Sequence, residues 1–188
     1  FFMNRIIGII VSTVIILFST VSFAFAEELH WGFKKATDGN QIEISSELET
    51  MLAKYDAIYR GDPQAKTIYL TFDNGYENGF TERILDALKE EDVPATFFLT
   101  GHYVTSASDL VKRMVKDGHI IGNHSDKHPN MARLSEAQML TEWQNFDKKL
   151  KEVTGLERTY YTRPPEGVYN ETLLAVGAKN DYRHIFWS

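Results

Sequence analysis

The stretch Lys66-Thr67-Ile68-Tyr69-Leu70-Thr71-Phe72-Asp73-Asn74-Gly75 decides the fold. Thr67 to Phe72 is rich in β-branched and aromatic residues, the composition of a strand. It ends in an acid, an amide and a glycine, and Gly75 lets the chain turn sharply as it leaves the strand. The pattern then repeats. Thr81 to Glu91 predicts an amphipathic helix with Ile84, Leu85 and Leu88 on one face. Ala95 to Thr100 reads as a buried strand. Ser108 or Asp109 can cap a helix that runs to Asp117 and closes at Gly118. His119 to Gly122 is a short strand, and Ser135 with Gln138 opens the longest helix, which stops at Gly155. Arg158 to Thr162 is a fourth strand, Asn170 caps a helix through Lys179, and Tyr182 to Trp187 is a fifth strand. Strand and helix in alternation, with short links, predict a parallel α/β arrangement.

Upstream of this block lies a lead-in, residues 27–65. Ser46 and Glu49 read as a capping box, and Leu48, Met51, Leu52, Tyr55, Ile58 and Tyr59 recur at helical spacing until Gly61 and Pro63. Residues 1–26 read as a secretory signal peptide. Arg5 gives a basic start, Ile6 to Phe18 is uncharged, and Ala24-Phe25-Ala26 is a small-x-small cleavage pattern. An uncleaved membrane anchor is the alternative. Residues 27–65 and 66–188 then make up the exported chain, with no stable membrane partner once the leader is removed.

The full chain of 188 residues carries a net charge of −6. Removing Arg5, the one charge in the leader, from −6 leaves −7. An acidic exported chain has no electrostatic pull toward nucleic acid. There is no cysteine, which excludes thiol chemistry and Cys-based zinc sites. The chain stops at Ser188 within the fifth strand, which implies a domain cut short.

Three segments carry chemistry, each just after the C-terminal end of a strand, where α/β folds build their sites. Asp73 can act as a general base on water, although Asp73 and Asn74 can equally form an Asx-type turn. His124 and His128 are four residues apart, so a helical turn would put both rings on one side, able to share a divalent ion. Surface or hydrogen-bonded histidines are the plainer reading. Arg163 precedes Pro164-Pro165, a rigid extended segment, and its guanidinium can fork onto a carboxylate such as Asp73. Tyr76, Tyr160, Tyr161 and Tyr169 lie near these motifs and can stack on a sugar ring or fill the core. His119 reads as structural, and His102 can line the mouth.

Three words in this order resemble the polysaccharide deacetylase family, the NodB homology domain of carbohydrate esterase family 4. They are Thr71-Phe72-Asp73-Asn74-Gly75, Gly118-His119-Ile120-Ile121-Gly122-Asn123-His124-Ser125-Asp126-Lys127-His128-Pro129, and Arg163-Pro164-Pro165-Glu166-Gly167. The resemblance covers residues 66–188. It implies an α/β fold, a distorted (β/α) barrel truncated at its C-terminal end, that hydrolyses an N-acetyl group from a sugar. It makes Asp73 the base, Arg163 the residue that orients it, and His124 and His128 metal ligands. The backbone N–H of Glu166, where the family usually has Tyr, would help hold the oxyanion, and Tyr76, Tyr161 and Pro165 would face substrate. Asn74 stands where the family has an aspartate ligand, so the divalent metal, zinc or similar, loses one negative charge at its site. The general acid histidine and an Asp-Trp segment would lie beyond Ser188, so a chain that ended there would be inactive.

Asn74 and the lead-in Trp31-Gly32-Phe33-Lys34-Lys35 further resemble the family's spore-cortex subgroup, which acts on N-acetylmuramic acid on the way to muramic δ-lactam. That implies peptidoglycan glycan strands as the partner, an extracytoplasmic location and a monomer. A chitooligosaccharide or N-acetylglucosamine deacetylase and an inactive glycan-binding module are the alternatives.

Overall fold

Parallel strands cannot be joined by tight hairpins, so each return must cross over, and helices serve as the crossovers here. The computed structural model describes residues 27–37 and 39–188, and the expected leader lies outside the described residues. Five strands form one parallel sheet: β2 (Thr71–Asn74), β3 (Thr96–Leu99), β4 (Ile120–Asn123), β5 (Tyr161–Thr162) and β7 (Arg183–His184), adjacent in that order. β2 leads into α2 (Thr81–Glu90), β3 into α3 (Gly101–Ser106) and α4 (Ser108–Lys116), and β4 into α5 (Glu136–Thr154). α6 (Glu171–Lys179) carries the chain from β5 to β7. The register sets Asp73 beside Phe98, Leu99 beside Asn123, and Asn123 beside Thr162. The expected site strands therefore end side by side.

The core has two parts joined by α5. Phe146 and Leu150 of α5 pack with Leu85, Phe97, Leu99, Val111 and Met114. Trp143 and Met139 of the same helix pack with Leu52, Tyr169, Leu173, Tyr182 and Phe186. The helix starts at the expected capping box, Ser135 with Gln138, and stops at Gly155, whose φ of 82° is left-handed. Asn170 caps α6 as its side chain accepts from Leu173 N.

Several boundaries differ from the sequence reading, each for a local reason. β2 starts at Thr71 rather than Thr67, because Ile68 and Tyr69 are 85% and 69% exposed and lie outside the ladder. The lead-in helix α1 (Ser46–Lys54) is capped one residue earlier than expected, with Ser45 Oγ accepting from Leu48 N. It ends before Ile58, because Asp56 takes a left-handed φ of 54° and Ile58 bridges to Ile185. Thr100 caps the unexpected α3, which leaves α4 without a side-chain cap. A small antiparallel pair, β1 (Leu29–His30) with β6 (Val168–Tyr169), fastens the lead-in to the segment after Gly167. No helix among the described residues is long and apolar enough to cross a membrane.

Gly122 shows how tightly β3 and β4 are set, since a Cβ there would lie 2.3 Å from the Phe98 ring. Gly122→Ala is therefore expected to cost about 1–3 kcal/mol by overpacking. The urea unfolding midpoint measures it, and an unchanged midpoint would show that β3 and β4 are not held as described.

Candidate active site

Each candidate side chain stands where a strand runs out. Asp73 is the third residue of β2, His124 follows β4 directly, and Arg163 follows β5 directly. Arg163 joins them. Its Nη1 donates to Asp73 Oδ1 at 2.7 Å and its Nη2 to Thr71 Oγ1 at 3.0 Å. Nε donates to the Ile185 carbonyl and Nη2 also to the Phe186 carbonyl. The guanidinium lies 4.2 Å from the Phe98 ring centroid, and its side chain is 4% exposed. Burial lowers the Arg163 pKa and Asp73 opposes the shift. An arginine stays charged regardless.

His124 is buried, with Nδ1 2.9 Å from the Arg163 carbonyl. A carbonyl only accepts, so Nδ1 carries the proton and the Nε2 lone pair is free. Burial lowers the His124 pKa, while Asp73 and the Arg163 carbonyl pull it back up. The His124 and His128 rings meet edge to face with centroids 4.9 Å apart. No helical turn brings them together. Ser125 and His128 take left-handed φ values of 67° and 58°, and Ser125 Oγ accepts from His128 N. Strain of this kind persists only where the surroundings hold it.

Those surroundings are mostly α5. Asn123 donates to the Trp143 carbonyl and to Asp147, and its Oδ1 accepts from Ser125 N. Lys127 N donates to Glu142, and Lys149 pairs with buried Asp126. Asp147 also accepts from Thr159 and from Tyr182 Oη. Sequence reading missed this network. Its one sequence signal, Asn123 before the histidine, reads only as loop shaping until the fold brings α5 alongside.

Asn74 Oδ1 is buried and has no hydrogen-bond partner, an orphaned oxygen at the end of β2. Among the described residues no three His, Cys, Asp or Glu side chains converge as a metal cluster. Two imidazoles, a neutral amide and the Arg163-paired Asp73 carboxylate are what this end of the sheet offers. Pro165 and Gly167 are buried, while Glu166 is exposed and left-handed at φ 58°. Tyr76 is exposed, with its ring 4.7 Å from His102 at the rim. Tyr161 is half-buried. It lies at the start of β5 and lines a cavity of about 320 Å³ with Tyr55, Asp56 and Arg183. Its ladder partner is Arg183 of β7. His119 is structural as expected, with Nδ1 accepting from Ala95 N.

Residues 60–185 match the polysaccharide deacetylase family model, and the chain belongs to that family. It is 52% identical over 172 residues to an uncharacterized 30.6 kDa protein of Geobacillus stearothermophilus, covering 91% of this chain and 65% of the relative. It is 43% identical over 162 residues to the peptidoglycan-N-acetylmuramic acid deacetylase PdaA of Bacillus subtilis, covering 86% of this chain and 62% of that protein. The chain therefore spans somewhat under two thirds of both relatives. The solved structure of Bacillus subtilis PdaA, a family 4 carbohydrate esterase, superposes with a TM-score of 0.84 at 42% identity. That match covers 86% of this chain and 69% of the other. The fold is thus the α/β type expected, a distorted barrel in which parallel strands alternate with helices.

Glu77 holds the loop between Asn74 and α2. Its carboxylate accepts from Tyr103 Oη at 2.5 Å and from Gly79 N at 2.6 Å. Burial pushes its pKa up, but bonds from Thr81, Tyr103 and Gly79 outweigh that and bring it down to about 2. A depressed carboxyl stabilises the fold above its unfolded pKa of 4.5, and that share is lost as pH falls from 4.5 toward 2. Glu77→Gln is thus expected to be less stable than the parent at pH 7, with the gap closing below pH 4.5. Denaturant unfolding across that range reads it, and a gap constant with pH would contradict the assignment.

Proposed function

We propose that the protein removes the N-acetyl group from N-acetylmuramic acid in peptidoglycan glycan strands, a step toward muramic δ-lactam in spore cortex. The observation that carries this is the 2.7 Å pair of Arg163 with Asp73 beside the histidine pair. Arg163 fixes the carboxylate, so one Asp73 oxygen is oriented to take a proton from water. The water oxygen then bonds to the carbonyl carbon of the acetyl group, the C–N electron pair leaves with nitrogen, and that nitrogen takes up a proton to balance the one Asp73 removed, so acetate and a free amine result.

His124 presents a free Nε2 lone pair, His128 stands beside it, and the orphaned Asn74 oxygen is a further donor. This set suits a divalent ion such as zinc, held by His124, His128 and Asn74. Such an ion, when bound, supplies Lewis-acid polarisation of the acetyl carbonyl. Because Asn74 is neutral, binding is expected to be weaker than at a site where a carboxylate takes its place. The backbone N–H of Glu166, set by its left-handed turn, is the candidate donor to the oxyanion, with Pro165 shaping the same wall. Tyr76 is the candidate rim contact. Residues 66–188 act as the deacetylase domain, and residues 27–65 wrap it. Export by the N-terminal segment would place the enzyme with its substrate outside the membrane.

Acetate release from purified glycan strands by the full-length protein tests the reading, with mass spectrometry locating the free amine. Asp73→Asn is expected to lower turnover at least about 100-fold, the usual scale for a general base. His124→Ala should do likewise, and chelator should inhibit. Amine on N-acetylglucosamine instead would favour that sugar. No release from any N-acetylated glycan would leave glycan binding as the function.

A further inference from the structure

The residues before the family-matched segment are bound into the wall of the candidate site. Trp31 N donates to the Gly167 carbonyl at 2.8 Å, one residue past Glu166. The β1–β6 ladder continues that contact through His30 with Val168 and Leu29 with Tyr169. Trp31 Nε1 donates to the Trp187 carbonyl at 3.0 Å. Gly167 can only be glycine in this packing, since a Cβ would lie 2.7 Å from Trp187 and 3.1 Å from Trp31. The lead-in is therefore part of the site's architecture.

What it brings is an aromatic path. The Arg163 guanidinium lies 5.5 Å from the Trp187 ring centroid. Trp187 lies 6.4 Å from Trp31, and Trp31 lies 6.3 Å from Phe33. Trp31 is anchored from below by Phe186 at 4.6 Å and Tyr59 at 5.6 Å. Trp187 and Phe33 are 38% and 36% exposed. The path ends at an open cavity of about 440 Å³ lined by Gly32, Phe33, Lys34, Glu43, Ile44 and Ser45. Lys34 and Glu43 flank it as an exposed ion pair at 3.4 Å.

We infer that Phe33 and the cavity beside it form a distal subsite for another hexosamine ring of the glycan strand whose N-acetyl group lies at Asp73. The inference rests on the deacetylase reading for the occupant's identity. The chemistry is that of a pyranose, whose apolar C–H face stacks on an aromatic ring while its hydroxyls stay wet or meet polar rim groups. Arg163, Trp187 and Trp31 stand between Asp73 and Phe33, so the subsite takes a ring other than the one that reacts. Binding energy from such a remote ring holds the reacting sugar in place.

The experiment compares wild type, Phe33→Ala and Phe33→Tyr in the full-length protein. Binding to purified glycan strands is measured directly by Trp fluorescence titration, and KM and kcat for acetate release are measured on strands and on a disaccharide. Phe33→Ala is expected to weaken strand binding and raise KM for strands by ~3–10-fold, the scale of one aromatic contact. Disaccharide kinetics should be unchanged, and Phe33→Tyr should restore strand binding. Equal strand affinity in wild type and Phe33→Ala would overturn the subsite while leaving the deacetylase reading intact. An equal loss on strand and disaccharide would also overturn it, by showing a general structural effect. Strand binding that depends on Phe33 without acetate release would keep the subsite and defeat the deacetylase reading.

Discussion

The Arg163 guanidinium is the interaction on which the rest depends. It is a charge taken almost wholly out of water, a costly state unless every donor finds an acceptor. Here the acceptors are Asp73 and Thr71 on β2 and the Ile185 and Phe186 carbonyls just past β7. Within the described residues β2 and β7 are the two edges of the sheet. One side chain therefore draws the edges toward each other and curves the sheet toward closure. The same bonds set the direction of the Asp73 carboxylate, so fold and chemistry share one constraint.

The histidine loop is supported from the other side. α5 offers Glu142, the Trp143 carbonyl, Asp147 and Lys149 to the loop and to Asn123 beneath it. These contacts keep Ser125 and His128 left-handed, a conformation non-glycine residues hold only under such restraint. The Arg163 carbonyl then fixes the His124 tautomer. Arg163 thus acts twice, through its guanidinium on Asp73 and through its backbone on His124.

Much of this was legible in the sequence. The order of strands and helices, the Ser135–Gln138 capping box, the Gly155 stop and the Arg163–Asp73 pair all follow from local chemistry and spacing. What was not legible depends on partners distant in sequence. Tyr161 stands two residues before Arg163, yet it lines a cavity with Tyr55, Asp56 and Arg183. His128 reaches His124 through a strained loop that no helical spacing describes. Asn123 and Asp147 gain meaning only when α5 lies beneath β4. The lead-in showed its helix and the stretch Trp31-Gly32-Phe33, but the pairing of Leu29 and His30 with Tyr169 and Val168 required the fold.

The most direct measurement is the unfolding free energy of Arg163→Met beside that of Asp73→Asn. Losing the guanidinium strands the Thr71 hydroxyl, two carbonyls and a carboxylate, so Arg163→Met should cost about 3 kcal/mol or more. Asp73→Asn keeps the other three contacts, but it leaves the buried guanidinium without its counter-charge and should also be destabilising. An Arg163→Met variant as stable as the parent would contradict the account.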